Sequence, residues 1–254
     1  MTKPNGYILW RGASLIDGAP VVAIVTGCAG SSSNRKTGAM LQTWILRADV
    51  SPVDAVRTGA DYSICGNCPE RGDGHGKARA CYVNVGQAPL GIWRAYRRGS
   101  YDHAPIALSA IGSGRAVRVG SYGDPAAVPM AVWQALISRA SMSTGYTHQW
   151  KTAPALAALC MASASSLQDA EQARALGFRV FRIRRADDPL MARESVCPAS
   201  TESAVDDITC SKCGACNGAS SGRRGSSSAL PPAGTSTNAT ASVRDSCSPS
   251  RARR

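Results

Sequence analysis

The sequence predicts an α/β protein built on a partial or complete (β/α) barrel-like parallel sheet. From Arg115 to Ile183, short β-branched and aromatic runs alternate with helical segments. Strands separated by helices of that length imply parallel βαβ units. No Gly-x-Gly-x-x-Gly turn follows these strands, which points away from a dinucleotide-binding sheet. A β-rich N-terminal part, Cys-rich metal loops and a disordered C-terminal tail complete the reading. The chain divides into one metal-binding domain, residues 1–216, and a basic Ser/Arg/Pro-rich tail, residues 217–254.

The elements follow in order. Tyr7–Trp10, Val21–Val25 and Met40–Leu46 are strand-like runs. The polar loop Gly30–Gly38 joins the last two; it is either a hairpin connection or an anion cradle of backbone amides. Ser51-Pro52-Val53-Asp54 supplies a cap, a first-turn proline and an acidic residue at the positive end of a helix that Gly59 stops. Leu90–Arg98 is an amphipathic helix with Trp93 and Tyr96 among arginines. Ala116–Val119 is a strand ending in Gly120-Ser121-Tyr122-Gly123-Asp124-Pro125, and Val128–Arg139 is a helix. Gly145–Trp150 is a second strand, Ala155–Leu159 is helical, and Leu159–Ser163 is a third strand. Ser165–Gln168 reads as a capping box for a helix ending at Gly177, and Phe178–Ile183 as a fourth strand. After Cys216 the chain turns to Ser, Ala, Gly, Pro and Arg and reads as disordered. It does so where a barrel would want another strand, as an out-of-frame extension replacing a final βα unit would.

The cysteines carry the chemistry. There are ten; seven fall into two groups, Cys65, Cys68 and Cys81, then Cys197, Cys210, Cys213 and Cys216. The first group leaves a coordination position open, as a catalytic zinc or a substrate-binding iron–sulfur cluster requires, unless His75 fills it. The second is a full set of four; its C-x2-C-x2-C core resembles iron–sulfur ligation, with four-cysteine zinc as the alternative. Cys28, Cys160 and Cys247 read as non-ligands. Asp124, at a strand end, is a candidate base, nucleophile or substrate-binding carboxylate, or a turn residue before the helix. His148 is a candidate acid/base group or ligand, or a core histidine. Arg182 and Arg184 read as solvated or anion-binding.

Composition bounds the rest. No run of about 18 apolar residues predicts a membrane helix, and the N-terminus shows no signal peptide, so a cytoplasmic protein with reduced thiols is expected. The net charge of +12 makes nucleic acid a candidate partner. The tail from Asn217 carries six arginines against Asp245 alone, so part of that charge lies outside the body. The sequence says nothing of oligomeric state.

Gln42–Leu46, Ala60–Pro69, Cys81–Pro89, Tyr122–Pro125, Gly145–Trp150, Cys160–Ser163 and Cys197–Ser200 together resemble an uncharacterised Cys-rich family of phages and prophages, over roughly residues 6–218. That resemblance implies a bacterial host cell and brings no established activity. Cys81-Tyr82, Ser121-Tyr-Gly-Asp124 and Val128-Pro-Met-Ala-Val-Trp133 more distantly resemble phage radical-SAM-like proteins. This implies a partial barrel with a [4Fe–4S] cluster on Cys65, Cys68 and Cys81. S-adenosylmethionine would bind its open iron, Ser121 and Tyr122 would lie at the cofactor, and the second group would hold an auxiliary cluster. The usual C-x3-C-x2-C spacing is replaced here by C-x2-C-x12-C. Two further readings stand beside this one. One is a zinc enzyme resembling the base-exchanging transglycosylases, with Asp124 as nucleophile. The other is a zinc-stabilised nucleic-acid-binding protein without activity.

Overall fold

The computed structural model describes residues 4–30, 36–75, 78–104, 107–185, 187–200, 202–203, 208–219 and 226–229. Strands β1 (Gly6–Ala13), β2 (Pro20–Thr26) and β3 (Leu41–Arg47) form an antiparallel meander. The apolar run Val21–Val25 is fully buried, as a strand covered on both faces should be. Residues 31–35 of the polar loop between β2 and β3 lie outside the described residues. Parallel pairing begins at β3. It continues through β4 (Ala116–Tyr122), β5 (Met142–Thr147), β6 (Met161–Ala164) and β7 (Val180–Ile183). These seven strands lie side by side in chain order; β9 (Ser226–Ala229) and β8 (Glu194–Val196) extend the sheet beyond β7.

Helix α1 (Pro52–Thr58) has the expected cap: Asp54 N–H donates to Ser51 Oγ at 3.1 Å, and Gly59 takes the left-handed conformation at φ 75°. The short α2 (Tyr62–Cys65) and α3 (Ala88–Arg97) follow, then α4 (Leu108–Gly112), which the sequence pattern did not reveal. Helix α5 (Met130–Ile137) joins β4 to β5; a 3-10 helix (Pro154–Ala158) joins β5 to β6, where Ala155–Leu159 was expected to be helical. Helix α6 (Leu167–Ala175) joins β6 to β7, capped by Ser166 rather than Ser165, with Asp169 N–H as donor.

The helices pack on one face of the parallel strands. Trp133 and Leu136 of α5 share a core with Val117 and Val119, and Ala170 and Ala173 of α6 share one with Ala162, Ala164 and Val180. Arg118 and Thr144, partners in register, turn the other way.

No closed barrel forms. Among the described strands no pairing joins β8 or β9 to β1. The outer edge of β1 is taken instead by residues 102–104: Ile8 N–H donates to Asp102 O and Ala104 N–H to Ile8 O. Closure requires a strand at that edge, and the chain covers it with a loop. Within the tail, Ser226–Ala229 pairs parallel with both β7 and β8, so a strand forms where composition reads as disorder. A slot between two strands is filled by backbone hydrogen bonds, which small side chains do not obstruct. Residues 220–225 and 230–254 lie outside the described residues.

Arg182 is not solvated. It is fully buried on β7, its Nε and Nη2 donating to Glu194 Oε1 and Oε2 at 3.1 and 2.8 Å, and its Nη1 to Asp188 at 3.2 Å. Arg184 pairs with Glu202. The anion that meets these arginines is thus internal. Glu194→Ala leaves a buried guanidinium without its main partner, and is expected to cost about 3–5 kcal/mol in urea unfolding; Arg182→Met with Glu194→Leu should cost less. A loss under about 1 kcal/mol for the single change would remove this pair as an anchor of β8.

Candidate functional site

Three local devices bring the first cysteine group together. Cys65 ends α2, and Cys68 follows a tight turn in which its N–H donates to Cys65 O at 3.2 Å. Cys68 opens a 3-10 turn (Pro69–Arg71), and Glu70 O there accepts from both Ala80 N–H and Cys81 N–H at 3.0 and 2.8 Å. Cys81 therefore returns beside Cys68 across the intervening loop. The turn itself is held by Gln149, whose Nε2 donates to Cys65 O at 3.0 Å and whose Oε1 accepts from Asn67 N–H at 3.3 Å. Gly66, at φ 53°, admits this side chain: a Cβ there would stand 2.5 Å from the Gln149 amide.

Asp124 ties that loop to the sheet. Its backbone N–H donates to Ile64 O at 2.6 Å. Its carboxylate accepts from Ala126 N–H (3.0 Å), the Thr147 hydroxyl (2.8 Å) and His148 N–H (2.7 Å). Burial lifts the carboxyl to about 6, against those hydrogen bonds. The geometry is that of a turn residue: the carboxylate is occupied by donors from the ends of β4 and β5. His148 meets Asp124 through its backbone. Burial lowers its ring to about 4, with a smaller opposing pull from Asp169, so the imidazole is neutral near pH 7.

Beside the cysteines lies a knot of buried polar atoms without hydrogen-bond partners: both carboxylate oxygens of Asp61, the Tyr122 hydroxyl and Arg71 Nε. Arg71 Nη1 stands 3.5 Å from Asp61 Oδ1, a long ion pair. Asp61 is 1% exposed and Tyr122 3%. Burial pushes the Asp61 carboxyl up despite Arg71 and Arg79, and pushes the Tyr122 phenol well above its ordinary value, with Cys65 adding to the shift. Burial likewise raises the Cys65 thiol, and the Cys68 thiol to about 12; the nearby Cys81 raises both further. Such thiols ionise when a metal replaces the proton. Of the residues the sequence reading set at a cofactor, Tyr122 is in this knot. Ser121 is turned away, its hydroxyl donating to Gln42 Oε1 of β3 at 2.7 Å. His75 is exposed, in a turn where its N–H donates to Asp73.

The second group gathers beside the middle of β5. Cys197, Cys210, Cys213 and Cys216 line one concavity with Thr144, Ala199, Gly214 and Ala215, with room for about 10 Å³, roughly one water-sized body. Helix α7 (Cys210–Cys213) starts where Cys210 N–H donates to Lys36 O at 2.8 Å, and Gly214 ends it in the left-handed conformation. Gly145 N–H donates to Cys216 O at 3.0 Å, fixing the last cysteine to β5. Burial raises the Cys210 thiol, and the Cys216 thiol to about 12, where a hydrogen bond from Tyr146 opposes it. Thr144 Oγ1, buried at the rim, has no hydrogen-bond partner.

All nine described cysteines are free thiols. Among the described residues no three His, Cys, Asp or Glu side chains stand in a metal-ligating arrangement, so the sulfurs neighbour one another without closing on a common point. Cys28 and Cys160 are core residues, and Cys247 lies outside the described residues. The two groups are separate: one meets the ends of β4 and β5 at Tyr122 and Gln149, the other the middle of β5 at Thr144 and Gly145. Sequence reasoning missed Asp61, Gln149 and Arg118. Only Arg118 carried a signal, as the lone charge in the apolar run Ala116–Val119. No helix among the described residues is long and apolar enough to cross a membrane.

With this geometry in hand, comparison with known proteins adds no relative: no family model, no curated protein and no solved structure matches the chain.

The depressed His148 ring makes a pH prediction. In the unfolded chain it protonates near 6.5, in the folded chain near 4. Its contribution to stability is therefore full above about pH 6.5 and is lost as the pH falls towards 4. His148→Gln is expected to reduce the acid loss by about 1–3 kcal/mol, read as the difference in urea unfolding between about pH 7 and pH 5. Equal losses in both proteins would place the acid sensitivity elsewhere.

Proposed function

We propose that the chain is a phage-type metalloenzyme with two thiolate-bound centres, the first of them a radical-SAM-like iron–sulfur centre on a partial-barrel sheet. The observation that carries this reading is the knot of unpartnered buried polar atoms beside Cys65, Cys68 and Cys81. Buried groups without partners are costly and are kept where a bound group satisfies them. The knot lies at the C-terminal ends of parallel strands, where α/β sheets place ligands. Cys65, Cys68 and Cys81 would hold a [4Fe–4S] cluster with one iron free, and Asp61, Tyr122 and Arg71 would face the molecule bound there. When bound, such a cluster supplies one-electron chemistry to S-adenosylmethionine. The chain's own contribution is placement: Gln149 and Gly66 set the cysteine turn, and Asp124 ties it to the strands.

At the second group, the four-cysteine set and the small room favour a single zinc ion over an auxiliary cluster. The base-exchange reading loses support because Asp124, its nucleophile, is surrounded by donors that occupy its carboxylate.

Anaerobic purification followed by iron, sulfide and zinc analysis and a visible spectrum tests the proposal. Brown protein with iron and sulfide is expected, and Cys68→Ala should lose both while keeping zinc. Colourless wild-type protein without iron would overturn the radical-SAM-like reading. Loss of all metal together in Cys68→Ala would overturn the separation into two centres.

A further inference from the structure

Arg118 lies on β4 between the two cysteine groups and is 9% exposed. Its Nη2 donates to the Tyr82 hydroxyl at 2.9 Å, and its guanidinium sits 5.9 Å from the centre of the Tyr146 ring. Tyr82 follows Cys81 directly; Tyr146 hydrogen-bonds to Cys216. Among the described residues no carboxylate stands within ion-pair distance of Arg118. The buried Arg182, by contrast, has Glu194 and Asp188.

An arginine does not shed its proton, and a buried cation without an anion costs several kcal/mol. Tyr82 offers Arg118 its hydroxyl and Tyr146 its ring face. Thr144, the register partner of Arg118 on β5, lines the C-terminal concavity with Cys197, Cys210, Cys213 and Cys216. As thiols these cysteines offer no countercharge. As four thiolates on one divalent ion, the Cys197–Cys216 group is anionic and compensates the guanidinium.

We propose that Arg118 is the counter-cation of the C-terminal cysteine centre, positioned by Tyr82 and Tyr146, so that the centre and the buried arginine stabilise each other. This rests on the reading of a metal at the second group. It makes a prediction that an ordinary packing role does not: the sign of an Arg118 substitution reverses with metal. In the metal-free chain Arg118 is an uncompensated charge, and replacing it should stabilise; in the loaded chain it is a partner, and replacing it should weaken the centre.

The test uses the full chain carrying Cys68→Ala, so that only the second centre reports. Zinc affinity is measured by chelator competition for the parent, Arg118→Met, Arg118→Lys and Tyr82→Phe. Arg118→Met is expected to lower affinity about 10–100-fold, the range for groups one step removed from a metal, with Arg118→Lys retaining most of it and Tyr82→Phe losing less than Arg118→Met. In chelator, thermal unfolding of Arg118→Met should lie above that of the parent. Unchanged zinc affinity in Arg118→Met overturns the proposal, as does a metal-free Arg118→Met less stable than the metal-free parent. A parent that binds no zinc overturns it together with the reading of the second group, and is distinguishable because the comparison among Arg118 variants then has no starting value.

Discussion

The hydrogen bonds around Asp124 are the constraint on which the first cysteine group depends. One residue closes three gaps: its carboxylate accepts from the turn after β4 and from Thr147 and His148 at the end of β5, while its N–H grips Ile64 one residue before Cys65. Gln149, next along the same strand end, holds the cysteine turn from its other side. A cysteine loop is free to wander unless its backbone is tied to something rigid, and here it is tied to two adjacent parallel strands. That explains why a burial strong enough to lift the Asp124 carboxyl is tolerated: the three donors need an acceptor at this point, and an apolar residue would orphan them.

Buried charge is handled in two ways in this chain. Around Arg182 the sheet brings its own acids, Glu194 and Asp188, and the cluster serves to fix the short strand β8 beside β9. Around Arg118 no acid arrives among the described residues; Tyr82 and Tyr146 do. The two arginines lie on parallel strands of one sheet, both buried, yet one is matched by carboxylates and the other by tyrosines. The same contrast separates the matched donors of Asp124 from Asp61, whose ion pair with Arg71 is long, and from the Tyr122 hydroxyl, which has no hydrogen-bond partner. Among the described residues, five of the seven buried side-chain atoms without a hydrogen-bond partner lie beside the two cysteine groups; the other two are Arg184 Nε and Glu202 Oε2.

The parallel strands and α5 and α6 were legible because their signals are local: β-branched runs, Gly stops, Ser caps. The Ser51 cap and Gly59 stop were read to the residue. The cap of α6 was displaced by one because Ser165 and Ser166 are chemically alike and only the strand's exit angle selects between them. Strands β8 and β9 were not legible. Three and four residues long, they have no periodicity, and Ser-Ser-Ser-Ala has little β preference; a free position beside β7 makes it a strand. The cysteine spacing announced two groups, but not where each meets the sheet, since for the second that depends on where the chain re-enters the sheet after β8. Arg182 read as a strand-end arginine because its partner Glu194 is twelve residues away on an element with no signal of its own.

The separation of the two groups along β4 gives the architecture its logic. Arg118 and Tyr122 lie four residues apart on one strand, roughly 13 Å of extended chain, and each belongs to a different cysteine group. The open sheet leaves both groups in reach of β4 and β5: the Gln149 side chain holds the Cys65 turn just after β5, and Gly145 N–H within β5 donates to Cys216 O at 3.0 Å.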